Sequence, residues 1–164
     1  TEGVGRGVWV GAAVKGVGRV RGMRASGPSG IGGDGIRPHG PLLDPMTCAG
    51  LIPGPYDIRD YEYEALALCT NKCPEGPYRG VGMVTAVLTH ERLMDLIAAR
   101  LGIDPADVRP RNLITPALTP YTAAPRHPFE SGHYPSAPQA PLSALDLQPP
   151  PADPAAARAS ARPW

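Results

Sequence analysis

The chain has 164 residues and a formal net charge of +1, and only 19% of its residues are charged. This near-neutral balance argues against a dedicated nucleic-acid surface, which would carry clustered positive charge. No apolar run is long enough to cross a bilayer, so we predict no membrane association. The three cysteines cannot all pair with one another, and an odd number of thiols fits a reducing compartment such as the cytoplasm.

The first half of the chain predicts strands separated by glycine-rich connections. Fifteen of the twenty glycines lie before Pro55, and we predict that residues 3–18 are frayed or disordered. Polar and apolar residues alternate over 19–25, which predicts a half-buried strand. Asp34-Gly35 is typical of a turn. A second strand is predicted over 61–68, although its Glu, Ala and Leu residues would also suit a helix.

Residues 84–101 give the clearest helical pattern. Apolar residues recur at helical spacing and predict a single buried stripe at positions 84, 87, 88, 94, 97, 98 and 101. The same spacing directs four polar residues outward: His90, Glu91, Asp95 and Arg100. Gly102 suits a left-handed cap. A shorter helix is predicted to start at Asp104, which can cap its free amides, and to end at Pro110.

Composition divides the chain into three parts. Residues 1–16 form a Gly-rich start that we predict to be disordered, and residues 17–147 form the folded part. Residues 148–164 form a Pro/Ala-rich tail that we predict to be unstructured. The fold class predicted for the whole chain is therefore α+β, with a few strands, two helices and disordered termini.

A nucleotide-binding motif is present only formally. Residues 30–35 match the pattern G-x-G-x-x-G, which needs a hydrophobic strand before it and a helix after it. Small and polar residues precede this segment, and Pro38 and Pro41 follow it. We therefore do not assign a nucleotide site here.

The cysteines and histidines do not have metal-ligand spacing. Cys69 and Cys73 lie four residues apart, but Cys48 is distant and a closed zinc site needs a fourth ligand. His127 and His133 have no neighbouring ligand pair. We predict no metal ligands and buried or semi-buried thiols, and we find no Ser-His-Asp arrangement.

The most informative segment is 70–82, which reads Thr-Asn-Lys-Cys-Pro-Glu-Gly-Pro-Tyr-Arg-Gly-Val-Gly and leads directly into the predicted long helix. Glycine lets a backbone approach a ligand closely, so that neighbouring N–H groups can point at an anion. Arg79 adds a fork of donors suited to phosphate or to conjugated oxygen and nitrogen edges. On composition alone, an ordinary Pro/Gly turn with a solvated Arg79 is the simpler interpretation.

Six further motifs surround this segment in a fixed order. They are PGPYDI at 53–58, ERLMD at 91–95, LGIDPADVR at 101–109, RNLI at 111–114, TPYT at 119–122 and ESGHYP at 130–135. The whole series resembles the molybdopterin-binding large subunit of the molybdenum hydroxylases, the group of xanthine dehydrogenase, aldehyde oxidase and carbon monoxide dehydrogenase. The resemblance implies that residues 17–147 are a partial molybdopterin-binding domain with a loop–helix cofactor element, from a longer subunit.

The resemblance also implies a function and a set of site residues. Enzymes of this family oxidise aldehydes, N-heterocycles or carbon monoxide, with molybdopterin in this subunit and iron–sulfur clusters and FAD on partner subunits. It implies cofactor contact at Tyr78, Arg79 and Gly80, and a position on the substrate side for Val81. The family's catalytic Glu and a Gln-containing loop have no counterpart in these residues. We therefore assign no catalytic residue and expect no turnover by this chain alone.

Three departures from the family pattern bear on the site. Pro77 stands where Ala is usual and removes one backbone donor. Met83-Val84-Thr85 replaces a polar triplet, and His133 replaces an Asp. Two alternatives stay open from the sequence: a non-catalytic partner-binding module and a degraded pseudogene product.

Overall fold

The computed structural model describes residues 7–33, 42–124 and 127–138. The predicted turn at Asp34-Gly35 and the predicted tail at 148–164 lie outside these residues. The structure is a mixed α+β fold, as predicted. Its main elements are β1 (Trp9–Lys15), β2 (Arg19–Gly32), α1 (Leu43–Leu51), β3 (Asp60–Cys69), α2 (Met83–Leu101), α3 (Pro105–Val108), β4 (Tyr121–Thr122) and β5 (Pro128–Phe129).

The first three strands form one sheet in the order β1-β2-β3. β1 and β2 are an antiparallel hairpin, whereas β2 and β3 are parallel because the chain returns through α1. Met23 lies opposite Ala12 on one side and Tyr61 on the other. The buried face of β2 contributes Val20, Met23 and Ala25 to the core.

The prediction that residues 3–18 lack regular structure is wrong for β1. Trp9 to Lys15 pair residue by residue with β2, and Gly18 closes the turn with φ +80 and an N–H bond to the Lys15 carbonyl at 2.9 Å. Glycine-rich sequence is weak strand material on its own. The pairing partner, rather than local propensity, orders this strand.

The two predicted strands are confirmed. The strand predicted over 19–25 continues to Gly32, and the segment over 61–68 is a strand rather than a helix. One helix was not predicted, α1. Pro45 lies in its first turn, where a missing N–H is tolerated, and Cys48 is buried against the core. The Tyr61 hydroxyl donates to the Ala49 carbonyl at 2.7 Å and fixes α1 to β3.

The predicted helix is confirmed: α2 begins at Met83, one residue before the predicted start, and ends at Leu101 as predicted. Gly102 follows it in a left-handed conformation with φ 65. The predicted buried stripe is correct at Met94, Ile97 and Ala98, which are buried, but not at Leu101, which is 39% exposed. It is wrong in the first half, because Val84, Val87 and Leu88 are exposed: α2 packs there through Ala86, His90 and Leu93.

The prediction that His90 faces outward is also wrong. Only 4% of His90 is exposed, because its Nδ1 lies 3.0 Å from the Ile52 carbonyl oxygen and gives the ring a buried partner. A carbonyl 38 positions away along the chain cannot be inferred from the period of a helix.

α3 begins as predicted. The Asp104 carboxylate accepts from the Ala106 amide at 2.7 Å, and Pro105 takes the first helical position. Asn112 follows the helix and is buried. Its Oδ1 accepts from the Val20 amide at 2.7 Å, and its Nδ2 donates to the carbonyls of Gly18 and Val108, each at 2.8 Å. One side chain therefore joins the β1–β2 turn to α3.

Across the described ranges, none of the helices combines the length and apolar character that spanning a bilayer requires.

Candidate cofactor-binding loop

Residues 70–82 connect the end of β3 to the start of α2. The first part of this loop is fixed to the end of β2 by three backbone bonds: Thr70 N–H to Gly32, Gly33 N–H to Lys72, and Glu75 N–H to Ile31, at 2.8, 2.9 and 3.1 Å. Gly32 has φ +78, and a Cβ there would overlap the carbonyl of Cys73. The loop therefore passes directly over the end of the sheet.

The second part is a tight turn at 78–82. The Val81 amide donates to the Tyr78 carbonyl at 2.7 Å, and the Met83 amide donates to the Gly80 carbonyl at 2.8 Å. Gly80 has φ +91, and Val81 has φ 44, the single positive φ among non-glycine residues that the structure describes. A β-branched residue in this region is strained, and such strain is concentrated at ligand-binding sites.

Gly82 holds the turn against α1. A Cβ at this position would overlap the carbonyl of Asp44 and the amide of Cys48, so only glycine allows this approach. Gly82 is also the N-cap of α2 and supplies no side-chain cap. The Met83 amide donates to the Gly80 carbonyl, so this end of α2 is closed by the backbone of the turn and not by a side chain, and it carries the partial positive charge of a helix start.

All four predicted site residues lie on this one turn. Tyr78 is 87% exposed and Arg79 is exposed, while Gly80 and Val81 are half-buried. Within the described ranges, no hydrogen bond or ion pair engages the Arg79 guanidinium. A free guanidinium and a helix start without a side-chain cap thus lie next to each other. This arrangement can bind an anionic or conjugated group.

The thiols differ from the prediction. Cys48 is buried, but Cys69 and Cys73 are exposed, so the prediction of buried or semi-buried thiols is wrong for these two. Among the described residues, no three His, Cys, Asp or Glu side chains come together as a metal site would require. Thr70, at the start of the loop, has a buried hydroxyl without a partner among the described residues. Nothing in the sequence marks it.

A cavity of about 260 Å³ lies beside the first half of α2. Its wall is mostly apolar and comes from the end of α1, from α2 and from β4–β5, through Leu51, Pro53, Met83, Val87, His90 and Phe129. Burial lowers the pKa of His90, although Glu91 and the Ile52 carbonyl oppose this shift. Sequence analysis missed this cavity because its wall combines segments that are distant in the chain.

A polar network fixes the position of α2 and therefore of the turn. The Tyr56 hydroxyl donates to Oε1 of Glu91 at 2.7 Å, and burial raises the pKa of Tyr56. Arg109 donates from Nε to Oε2 of Glu91 at 2.7 Å and from Nη2 to Oδ1 of Asp95 at 2.9 Å. Three of the six surrounding motifs meet in this network.

Residues 8–113, from just before β1 to just after α3, match the family described as molybdopterin cofactor-binding domain. The chain belongs to this family. The match covers the sheet, α1, α2 and the turn at 78–82, so the molybdopterin-binding domain includes every element that shapes the loop.

Named relatives agree with this assignment. The chain is 38% identical over 82 residues to the 6-hydroxypseudooxynicotine dehydrogenase complex subunit gamma of Paenarthrobacter nicotinovorans. The aligned residues are 50% of this chain and 10% of that protein. It is 37% identical over 108 residues to the carbon monoxide dehydrogenase large chain of Hydrogenophaga pseudoflava, and these residues are 65% of this chain and 13% of that protein. The chain thus spans only a small part of the length of these relatives.

Solved structures of the family have the same fold. Quinoline 2-oxidoreductase from Pseudomonas putida 86 superposes with a TM-score of 0.82 at 28% identity, covering 86% of this chain and 18% of that one. Reconstituted CO dehydrogenase from Oligotropha carboxidovorans superposes with a TM-score of 0.76 at 26% identity, with the same coverage of both chains. The strands and helices described above therefore form part of a known domain.

Proposed function

We propose that this chain is part of the molybdenum-cofactor-binding subunit of a hydroxylase-type oxidoreductase and that the turn at 78–82 contacts the cofactor. The observation that carries the proposal is the exposed Arg79, which has no hydrogen-bond or ion-pair partner within the described ranges and lies beside the start of α2, where no side chain caps the helix. An unpaired guanidinium binds phosphate and conjugated oxygen edges well, and the helix end adds a second attraction for negative charge.

The residues of the turn fit a bulky anionic group with a flat ring system. Arg79 would neutralise negative charge on the pterin ligand, and Tyr78 offers an exposed aromatic face. Gly80 has no side chain, so the backbone can come close. Val81 would face the substrate side. When bound, the molybdenum cofactor supplies the oxidation chemistry, and the role of these residues is to hold and orient it.

The reaction class that we propose is hydroxylation or dehydrogenation of a small molecule: an aldehyde, an N-heterocycle or carbon monoxide. Relatives with the names nicotine 6-hydroxylase large subunit and carbon monoxide dehydrogenase large chain support this class. A gamma subunit and several large subunits among the relatives also support assembly with other subunits. We infer that these partners carry iron–sulfur clusters and FAD, and that the complex is cytoplasmic.

The chain alone is expected to bind cofactor without turning over substrate. A catalytic site assembled from several segments loses nearly all activity when one catalytic member is missing. Purified chain supplied with molybdenum cofactor should therefore give no hydroxylation of an aldehyde or a purine. Any such product, above a sample without protein, would contradict this part of the proposal.

Cofactor contact can be tested through bound pterin rather than through activity. The chain is purified from a host that makes molybdopterin, and the released pterin is oxidised to a fluorescent product and measured per mole of chain. Arg79→Ala should lower the pterin content about tenfold or more, because it removes a charge-assisted contact. Arg100→Ala, a change at an exposed Arg in the last turn of α2, is the matched control and should have no effect.

Equal pterin content in Arg79→Ala and Arg100→Ala would contradict the role of Arg79. Absence of pterin from the unaltered chain would contradict the proposed loop as a sufficient contact site.

A further inference from the structure

α1 and α2 meet at two points along one ridge of each helix. Gly82 faces Asp44 and Cys48, because a Cβ at Gly82 would overlap the Asp44 carbonyl and the Cys48 amide. Further along α2, Nδ1 of His90 lies 3.0 Å from the carbonyl oxygen of Ile52, the residue that follows α1. Residues at intervals of four form a ridge on a helix, with a rise of about 6 Å per interval. The two helices therefore run side by side in the same direction.

The contact at Gly82 belongs to the cofactor-binding turn itself, since Gly82 is its last residue. It is a close approach of two backbones, and within the described ranges no hydrogen bond joins Gly82 to α1. Such a contact limits how near the turn comes to α1, but it does not hold the turn there. A directional attraction between the two helices has to come from elsewhere.

The contact at His90 is directional. A carbonyl oxygen only accepts, so Nδ1 carries the proton and donates it to Ile52. The ring is buried and confined: a Cβ at Gly54 would lie 2.7 Å from its Cε1 atom, and the ring of Tyr56 meets it edge to face with centroids 5.6 Å apart. Ile52 is fully buried, and a buried carbonyl that loses its donor is costly. This bond therefore fixes α2 along its axis relative to α1.

We propose that His90 is a positioning residue for the cofactor-binding turn. Its hydrogen bond to Ile52 sets where α2 starts relative to α1, and so places the backbone of residues 78–82. His90 lies about 12 Å along α2 from Gly82 and acts on the turn through the helix. The Arg109 network joins α2 to the end of α3 instead, so it cannot replace this bond. The effect on the turn requires no cofactor; only its consequence for cofactor binding rests on the proposed function.

The first test measures amide exchange by NMR on the full chain without cofactor. The reporting amides are those of Val81 and Met83, which donate to carbonyls within the turn, and the amides of β2 are the reference. His90→Leu keeps an apolar side chain of similar bulk and removes the donor. It should speed exchange at Val81 and Met83 about tenfold relative to β2, because the turn opens more often.

Two further variants separate positioning from general stability. His90→Asn places an amide N–H near the position of Nδ1, so it should restore most of the protection that His90→Leu loses. Ile97→Ala is the destabilising control. Ile97 is buried in α2 about 10 Å beyond His90, past the end of α1. This change should speed exchange in the turn and in β2 by the same factor.

The second test measures pterin content per mole of chain, as for Arg79. His90→Leu should lower it about threefold or more, because the contact residues remain but are misplaced. His90→Asn should retain most of it. An unaltered chain without pterin would contradict the proposed function, whereas the exchange measurement would still decide the role of His90 in the turn.

Three outcomes would overturn the inference. The first is exchange at Val81 and Met83 in His90→Leu that changes no more than exchange in β2. The second is equal loss of protection in His90→Asn and His90→Leu, which would mean that the donor has no part in the effect. The third is selective loss of protection at the turn in Ile97→Ala, which would make any core substitution in α2 sufficient.

Discussion

The Nε atom of Arg109 donates to Oε2 of Glu91 at 2.7 Å, and this bond joins the residue after α3 to the middle of α2. The same guanidinium donates to Asp95 and to the Pro105 carbonyl, both at 2.9 Å. A planar fork of donors suits three acceptors at once, which a lysine could not match.

Replacing Arg109 with Ala should lower the free energy of unfolding by about 2 kcal/mol, since charge-assisted hydrogen bonds are lost and the carboxylates of Glu91 and Asp95 lose their arginine partner. Urea denaturation measures this change. Arg92→Ala is a suitable control, because Arg92 is exposed on the same helix. An exposed substitution of this kind should stay within about 0.5 kcal/mol. Equal effects in the two variants would show that the network adds nothing to stability.

Asn112→Ala should be among the most damaging substitutions in the described part of the chain. The side chain of Asn112 is buried and makes hydrogen bonds with Val20, Gly18 and Val108. Its removal leaves a buried amide and buried carbonyls without partners, and each such group costs about 1–3 kcal/mol. We expect a loss of about 3 kcal/mol or more in urea denaturation.

Asn112→Asp keeps the acceptor role of this side chain and removes its donor role. The carboxylate can still accept from Val20, but it presents negative oxygen to the carbonyls of Gly18 and Val108, so this variant should be no more stable than Asn112→Ala. Asn71→Ala, an exposed change, should be neutral. An Asn112→Asp variant as stable as the unaltered chain would contradict the assigned bonds.

Two glycines in contact with or within α1 should respond in opposite directions to alanine. A Cβ at Gly82 would overlap backbone atoms of α1, so Gly82→Ala should destabilise by about 1–3 kcal/mol. Gly50 lies inside α1 with open space around a Cβ, so Gly50→Ala should stabilise by up to about 1 kcal/mol through helix propensity. Thermal melts of both variants provide the measurement. A Gly82→Ala variant as stable as the unaltered chain would show that the contact between Gly82 and α1 is not tight, and a destabilised Gly50→Ala variant would contradict the open space at Gly50.

His90 should make stability depend on pH. Burial lowers its pKa from the ordinary value of 6.5, so the unfolded chain binds a proton more readily than the folded one. The stabilising contribution is present above about pH 7 and is lost as the pH falls below 6.5, with a slope of up to about 1.4 kcal/mol per pH unit.

His90→Gln should flatten the fall in unfolding free energy between about pH 7 and pH 5, as measured by urea denaturation at each pH. His133→Gln is the control, because His133 is exposed. It should leave the slope unchanged. An identical slope in His90→Gln and the unaltered chain would mean that His90 does not distinguish the folded from the unfolded state.

Local sequence was sufficient for the elements whose signals lie within themselves. α2 has nineteen residues with regular apolar spacing and is followed by a glycine. The start of α3 is marked by two adjacent residues, the capping Asp104 and Pro105 at the first helical position. It was not sufficient for β1 and α1. Both contain glycine or proline, and both depend on partners distant in the chain for their order.

The candidate site, too, could be predicted in part from the sequence. The composition of 70–82 alone favours an ordinary turn, and the family resemblance carried by the surrounding motifs is what implies cofactor contact at Tyr78, Arg79 and Gly80. The positive φ of Val81 could not be predicted, because it results from closing the turn against α1 through Gly82. The exposure of Val84 and Leu88 was missed for a related reason. The helical period predicts which residues lie on one side of the helix, but it does not predict which other elements pack against that side.

The bonds of Asn112 span 92 and 94 positions of the chain, to Val20 and to Gly18. During synthesis at about 5–20 residues per second, the hairpin turn must wait roughly 5–20 s for this side chain to leave the ribosome. Until then the Val20 amide and the Gly18 carbonyl lack their partner in the folded chain. The native contacts of this turn are therefore completed late, after α1 and α2 have been synthesised.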